Sequence, residues 1–465
     1  MQLDDIIYAP ATGCSGAICV VRLSGRGCLE LLDSAVSLRR GSVSSAPGFS
    51  VRYGTIEGLD EVLVSVFHAP HSYTGEDMAE VSCHASSYIL GELLHRLSDA
   101  GARLAEPGEF TRRAFINGKM DLAQAEAVAD IISSSSLAQH KVALNQLRGG
   151  YSAELSQIRA GLVELSALLE LELDFSEEEV EFADRGRLNS LLDKSIDHCQ
   201  RLSDSFKVGN AVRNGVPVAI IGAPNSGKST LLNALLGDDR AIVSDIPGTT
   251  RDTVEETMVI DGVLFRFIDT AGIRNSSDTI ERLGIERTYK KTSEASIVLG
   301  VVDASICSSP ADFGACAKSL ARLVDMGSQK LILLANKVDI EAVNKNVIDS
   351  NFFVSLPDNE DASVECLCIS AKTGLGLDSL RSALLRNTGI ASETGTLVTN
   401  ARHAAALREA ASALRSVRSG LASCLPTDLL AEDLRSATAS LGSITGAITT
   451  NEVLGEIFAG FCIGK

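Results

Sequence analysis

The chain is predicted to be a multidomain protein of mixed α+β and α/β character. A mixed N-terminal domain should be followed by an all-helical domain, into which a phosphate-binding α/β domain is inserted. Three observations carry this expectation. At 465 residues the chain exceeds what one hydrophobic core supports, so several domains are required. The stretch PVAIIGAPNSGKSTLLNALLG, beginning at Pro217, reads as strand, glycine-rich loop and helix. On both sides of that α/β region, apolar residues recur at helical spacing.

Taken in order, residues 1–118 mix strand and helix signals. ICVVRL at 18–23 and EVLVSVF at 61–67 have strand character, and 87–100 has helical character. Polar and charged residues gather around glycine turns: Arg22, Glu76, Asp77, Glu80, His84, Glu109, Arg112, Arg113 and Lys119. Such a cluster reads either as a solvated surface or as a small-molecule site.

Helical periodicity follows from about Asp121 to Phe206, carried by Leu122, Ala125, Val128, Leu155, Ile158, Leu162, Leu165 and Leu169. Eight acids and no base lie between Glu170 and Asp184, the pattern of a solvated segment. Amphipathic helices return over 401–421 and 429–441. The expected domains are therefore 1–118, then 119–213 with 388–465, and the insert 214–387, with the flanking helices packing together.

Composition limits the function classes. A formal charge of −18 excludes general adhesion to nucleic acid, which needs clustered Lys and Arg. Without Trp, and with only 4% aromatics, base-stacking platforms are not expected. Eleven scattered cysteines without paired C-x-x-C units point to a reducing compartment rather than a disulfide framework. The N-terminus has no secretory or transit character and no apolar run is of membrane-spanning length, so a cytoplasmic protein is expected.

The insert carries the chemistry. In GAPNSGKS the glycines allow backbone N–H groups to close around phosphate oxygens at a helix N-terminus. Lys228 is placed to reach the β- and γ-phosphates and Ser229 to hold Mg²⁺, with Asn225, Ser226, Gly227 and Thr230 completing the cradle. Downstream, Ser244, Asp245, Ile246, Pro247, Gly248, Thr249 and Thr250 form a polar loop in which Thr250 can complete the Mg²⁺ shell. Asp269, Thr270, Ala271 and Gly272 close the next strand, with Asp269 near the metal and Gly272 offering its N–H to the γ-phosphate.

In Asn336-Lys337-Val338-Asp339 the Asp339 carboxylate can accept both the N1 and N2 hydrogens of guanine. Adenine would leave that acceptor unpaired, at a cost of roughly 1–3 kcal/mol. Ser370, Ala371 and Lys372 supply backbone groups toward the guanine O6. The nucleotide is therefore expected to be GTP. Hydrolysis poses a problem, because Ile273 stands where signalling GTPases carry a water-orienting Gln. Asp278, Glu281 and Glu286 are the nearby acids, and Arg251, Arg274 or a bound metal ion could neutralise the transition-state charge.

Together, SYTGED at 72–77, PGEFTRRAFINGKMDLAQAEAVADII at 107–132, GAPNSGKS, DIPGTTRD, DTAGIR, ERLGIER at 281–287 and the terminal FCIGK resemble the MnmE (TrmE) family of tRNA-modification GTPases from end to end. The resemblance implies a homodimer whose N-terminal domain binds a 5-formyl- or methylene-tetrahydrofolate derivative through Arg22, Glu80, Lys119 and Lys465. It implies K⁺ in place of an arginine finger, held by Asn225, Ser244, Ile246 and Thr249, with Glu281 orienting water. It also implies a heterotetramer with the FAD-containing MnmG (GidA) that modifies C5 of the tRNA wobble uridine, and a thiol role for Cys462.

One departure is His84-Ala85-Ser86, where the family usually reads HGG. The competing class, a ribosome-assembly GTPase, would carry a basic RNA-binding appendage, and this acidic chain has none.

Overall fold

The computed structural model describes residues 5–13, 16–174, 185–237, 256–268, 292–340, 352–356, 359–390, 395–423, 425–448, 451–461 and 464. The chain divides into two compact units. One comprises Met1–Ala129, Asn145–Ile196 and Glu409–Lys465; the other comprises Asp130–Leu144 and Asp197–Arg408.

The first unit is built on a seven-stranded sheet. Its strands are β1 (Ile7–Pro10), β2 (Ile18–Ser24), β3 (Ser37–Leu38), β4 (Ser50–Ile56), β5 (Asp60–Phe67), β6 (Met78–His84) and β7 (Arg103–Leu104). They lie in the order β3-β4-β5-β6-β2-β1-β7, antiparallel throughout except for the β1–β7 pair. The period of two is visible in β5, where Val62, Val64 and Val66 are buried while Glu61 and Leu63 face outward. Helices Cys28–Ala35 and Ser87–Asp99 cover the buried face with Leu29, Leu32, Leu93 and Leu97. Each such Leu or Val contributes about 1.5–3 kcal/mol by leaving water.

Ser86, in the departure from the family pattern, caps the second of these helices by accepting from the Ile89 N–H. His84 ends β6 and is held by Asp60, whose carboxylate accepts from both its backbone N–H and its ring. Helix Gly150–Asp174 packs along helix Thr427–Thr445, so the helical segments before and after the α/β region do meet. Leu122, Ala125, Leu454, Phe458 and Phe461 form a small core that anchors the C-terminal end.

The second unit holds a second seven-stranded sheet: β8 (Val216–Gly222), β9 (Glu256–Ile260), β10 (Val263–Phe267), β11 (Ile297–Asp303), β12 (Lys330–Asn336), β13 (Phe352–Leu356) and β14 (Asn359–Cys368), in the order β13-β14-β12-β11-β8-β10-β9. Strands β10, β8, β11, β12 and β14 are mutually parallel, and β9 and β13 add antiparallel edges. The near-continuous apolar runs VPVAIIG, IVLGVVD and KLILLAN are what doubly covered parallel strands require. Helices Lys228–Leu236 and Leu377–Asn387 cover one face, and helix Pro310–Ala321 covers the other. Among the described residues, no helix is long and apolar enough to cross a membrane.

Candidate functional site

The parallel strands β8, β11, β12 and β14 deliver their C-terminal ends to one edge of the sheet, where ligands bind in open α/β folds. From β8 the chain turns through Gly222–Gly227 into helix Lys228–Leu236. Gly227 has φ +101°, and a Cβ there would collide with the Asn336 amide. Only glycine permits this approach. Asn225, at the loop apex, also takes a left-handed conformation (φ 60°), which Asn tolerates better than most residues. Lys228 donates to the carbonyls of Gly222 (2.9 Å) and Ala223 (2.8 Å), and burial lowers the pKa of its ammonium. Ser229 stands in the first helical turn and is partly exposed, while Thr230 is exposed.

Asn336 ties this loop to two others. It is only 2% exposed; its Nδ2 donates to the Ser226 carbonyl (2.8 Å) and its Oδ1 accepts from the Ala371 N–H (3.0 Å). The glycine loop, the Asn336–Asp339 turn and the Ser370–Lys372 turn are thus one hydrogen-bonded assembly. Asp339 and Lys372 are exposed at its rim. Lys337, at φ 69°, pairs with Asp303 at the end of β11 (2.5 Å). Burial pushes the Asp303 carboxyl up, but the bonds from Lys337 and Ser305 outweigh it and hold the group below its ordinary value. Sequence reading passed over Asp303; its signal was an acid closing an apolar parallel strand beside the phosphate loop.

In the first unit, Arg22 and Glu80 are cross-strand neighbours on β2 and β6. Arg22 donates to Glu80 through Nε (3.0 Å) and Nη2 (2.8 Å), and through Nη1 to the Gly464 carbonyl (3.3 Å). Its guanidinium lies 5.3 Å from the Tyr73 ring centroid and 5.7 Å from that of Phe110, two aromatic partners the sequence did not reveal. Lys119 donates to the Pro70 carbonyl (2.9 Å), at the loop that leads into Tyr73-Thr74-Gly75.

Beneath this surface, Arg113 is 0% exposed and bonds Asp5 (2.5 Å), Glu76 (3.3 Å) and Glu109 (3.2 Å). Glu76 also accepts from Ser24 (2.7 Å). The solvated-surface reading of the N-terminal charge cluster therefore fails for Arg113 and Glu109. They form a buried ion-pair network because the chain supplies a carboxylate from three separate segments to one guanidinium.

The remaining residues expected at these sites lie outside the described residues: Ser244, Asp245, Ile246, Pro247, Gly248, Thr249, Thr250, Asp269, Thr270, Ala271, Gly272, Glu281, Cys462 and Lys465. So do Ile273 and most of the acidic run, residues 175–184. Among the described residues, no group of three or more His, Cys, Asp and Glu could hold a metal ion.

A parallel sheet whose strand ends carry a phosphate loop tied through Asn336 to an Asn-Lys-x-Asp turn defines a P-loop GTPase domain. Family comparisons extend this to the whole chain. The family model described as the N-terminus of the GTP-binding protein TrmE matches residues 6–119, and that of the MnmE helical domain matches 122–462. The tRNA modification GTPase MnmE of Bacteroides fragilis is 47% identical over 470 residues, 99% of both chains. That of Porphyromonas gingivalis is 48% identical over 476 residues, covering 99% of this chain and 98% of its own. That of Christiangramia forsetii is 45% identical over 475 residues, the full length of both. The chain belongs to the MnmE family of tRNA modification GTPases.

Proposed function

We propose that this chain is a K⁺-activated GTPase of the cytoplasm whose cycle drives modification of the wobble uridine of certain tRNAs. It works as a homodimer in complex with the flavoprotein MnmG, which brings FAD. The observation that carries this reading is full-length identity of 45–48% to three tRNA modification GTPases, with every phosphate- and guanine-facing motif intact. The domains proposed are 1–118 for folate binding and dimerisation, 119–213 with 388–465 as the helical domain, and 214–387 as the G domain.

The residues present fit the ions proposed. Ser229 and Thr250 would hold Mg²⁺, and Asn225, Ser244, Ile246 and Thr249 would hold K⁺ through oxygen, the ligand type both hard cations take. The positions of the partly exposed Ser229 in the first helical turn and the exposed Asn225 at the loop apex are consistent with this assignment. Bound there, the two cations supply positive charge against the phosphates. Lys228 neutralises the β- and γ-phosphates, the loop N–H groups hold their oxygens, and Glu281 orients the attacking water in place of the absent Gln. The folate derivative would lie against Arg22, Glu80, Lys119 and Lys465, where Arg22 is already braced between Glu80 and two aromatic rings.

The reading is tested by GTP turnover of the purified chain in KCl and in NaCl at matched ionic strength. Turnover at least ten-fold faster in KCl is expected, since removing a comparable charge-stabilising group costs on the order of 10²–10³ in rate. Equal turnover in both salts would remove K⁺ from the mechanism. The guanine-reading role is tested by Asp339→Asn. This change should weaken GTP binding by roughly 10–100-fold, the cost of mispairing a donor–acceptor set that the bound base covers, and should let xanthosine triphosphate bind in its place. Competition binding with the two nucleotides checks it, and an unchanged guanine preference counts against the role.

A further inference from the structure

Strands β11 and β12 run parallel and end together, with Asp303 opposite Asn336. The Asp303 carboxylate therefore stands beside the first residue of the Asn336–Asp339 turn and reaches the second. Its Oδ2 meets the Lys337 ammonium (2.5 Å), and the Asp303 side chain is only 11% exposed. Its Oδ1 accepts from the N–H (3.0 Å) and the hydroxyl (2.6 Å) of Ser305, which fixes the carboxylate from the other side. A charge-assisted bond to an acceptor already locked in place orders its donor more firmly than an exposed surface pair does.

Lys337 needs such a hold. Its φ of 69° is left-handed, a conformation that residues other than Gly, Asn and Asp keep only where their surroundings enforce it. The residues on either side are bonded: Asn336 to the Ser226 and Ala371 backbone, and Val338 through its N–H to the Ile369 carbonyl (3.3 Å). Among the described residues, the Lys337 ammonium bonds to Asp303 alone. The Lys337 carbonyl accepts from the Ile340 N–H (3.2 Å), so Val338 and Asp339 are the central residues of a turn that starts at Lys337. The direction in which the Asp339 side chain leaves that turn follows from the Lys337 backbone.

We propose that Asp303 is a positioning residue for base recognition: by holding Lys337 in its left-handed conformation, it aims the Asp339 carboxylate at the N1 and N2 hydrogens of guanine. The role rests on the reading of Asp339 as the base-reading acid; the ion pair itself does not. Asp303 touches neither base nor phosphate in this role and acts through one side chain and one backbone turn. Two hydrogen bonds to a single carboxylate demand a fixed orientation, which a turn released at Lys337 does not keep. Hypoxanthine lacks the N2 amine of guanine. The ratio of GDP to IDP affinity therefore reports how well the carboxylate is aimed, separately from phosphate binding.

The test uses the full-length protein, with GDP and IDP each competing against fluorescent GDP. The wild type is expected to prefer GDP by about 10–100-fold, the worth of one hydrogen bond to a charged acceptor. Asp303→Asn keeps an acceptor for Ser305 and withdraws the anion from Lys337, so it should lower that preference about three-fold or more. Ser305→Ala acts on the other carboxylate oxygen and should leave the preference unchanged. Lys337→Met loses the pair from the opposite side and should reproduce the loss, and the double variant should discriminate no worse than either single one.

A lower thermal midpoint with an unchanged GDP to IDP ratio in Asp303→Asn would reduce Asp303 to a structural role and overturn the proposal. Should that variant fail to fold, an unchanged ratio in Lys337→Met overturns it equally. Additive losses in the double variant would show that Asp303 does not act through Lys337. A wild type that binds GDP and IDP equally would remove the base-reading role from Asp339 and the proposal with it, whereas a wild-type preference that survives Asp303→Asn overturns the proposal alone.

Discussion

Asn336→Ala is expected to weaken GDP binding by roughly 30-fold or more and to lower the thermal midpoint as well. The side chain is buried and makes two bonds in opposite senses, donating to Ser226 and accepting from Ala371. Truncation leaves a buried carbonyl on the phosphate loop and a buried N–H on the Ser370–Lys372 turn, each costing about 1–3 kcal/mol unpaired. The space behind Gly227, now filled by the amide, would also be empty. Asn336→Asp keeps the acceptor for Ala371 but sets a buried, charged oxygen against the Ser226 carbonyl, so it should weaken binding at least as much as Asn336→Ala. Nucleotide titration of the three proteins gives the order; equal affinities would show that the loops do not depend on this bridge.

The second large effect concerns stability. Arg113→Met is expected to destabilise the first unit by about 3–5 kcal/mol at pH 7, because it leaves carboxylates of a buried network without their common partner. The loss should depend on pH in a definite direction. Burial raises the pKa of Glu109, but bonds from Arg103, the Glu106 N–H and Arg113 outweigh it and hold the group below its ordinary 4.5. Asp5 is likewise held below 3.8 by Arg103 and Arg113 against the opposing effect of burial. A carboxyl depressed in the folded state contributes stability above its unfolded pKa and loses that contribution as pH falls through the folded value. The gap between wild type and Arg113→Met should therefore be full above about pH 5 and shrink below pH 4. Denaturant titrations followed by circular dichroism at pH 7 and pH 3.5 measure it. A gap that does not change with pH would mean that packing, not charge, carries the role of Arg113.

Much of the site was legible because its chemistry is local in sequence. Gly222 to Ser229 must be contiguous, since a strand, a tight turn and a helix N-terminus are needed within eight residues to surround a phosphate. Asn336, Lys337 and Asp339 were readable for the same reason. Asp303 was not, because its partner Lys337 is 34 positions away. The aromatic neighbours of Arg22 were hidden likewise: Tyr73 lies in a turn and Phe110 in helix Glu109–Ile116, and nothing in their spacing says that they converge on β2.

The buried charge network marks the boundary most sharply. Glu109, Arg112 and Arg113 are consecutive or nearly so in a polar stretch, and by composition all three belong on a surface. Helical geometry turns Glu109 and Arg113, four residues apart, to one face, and the fold then brings Asp5 and Glu76 against that face. The sequence by itself determined the alternation of strands and helices, the phosphate loop and the Asn-Lys-x-Asp turn, because hydrophobic period and backbone chemistry act over a few residues. Only the tertiary structure decided which charges are buried and which aromatic rings brace Arg22. Those outcomes depend on which surfaces segments distant in sequence present to one another once the cores have formed.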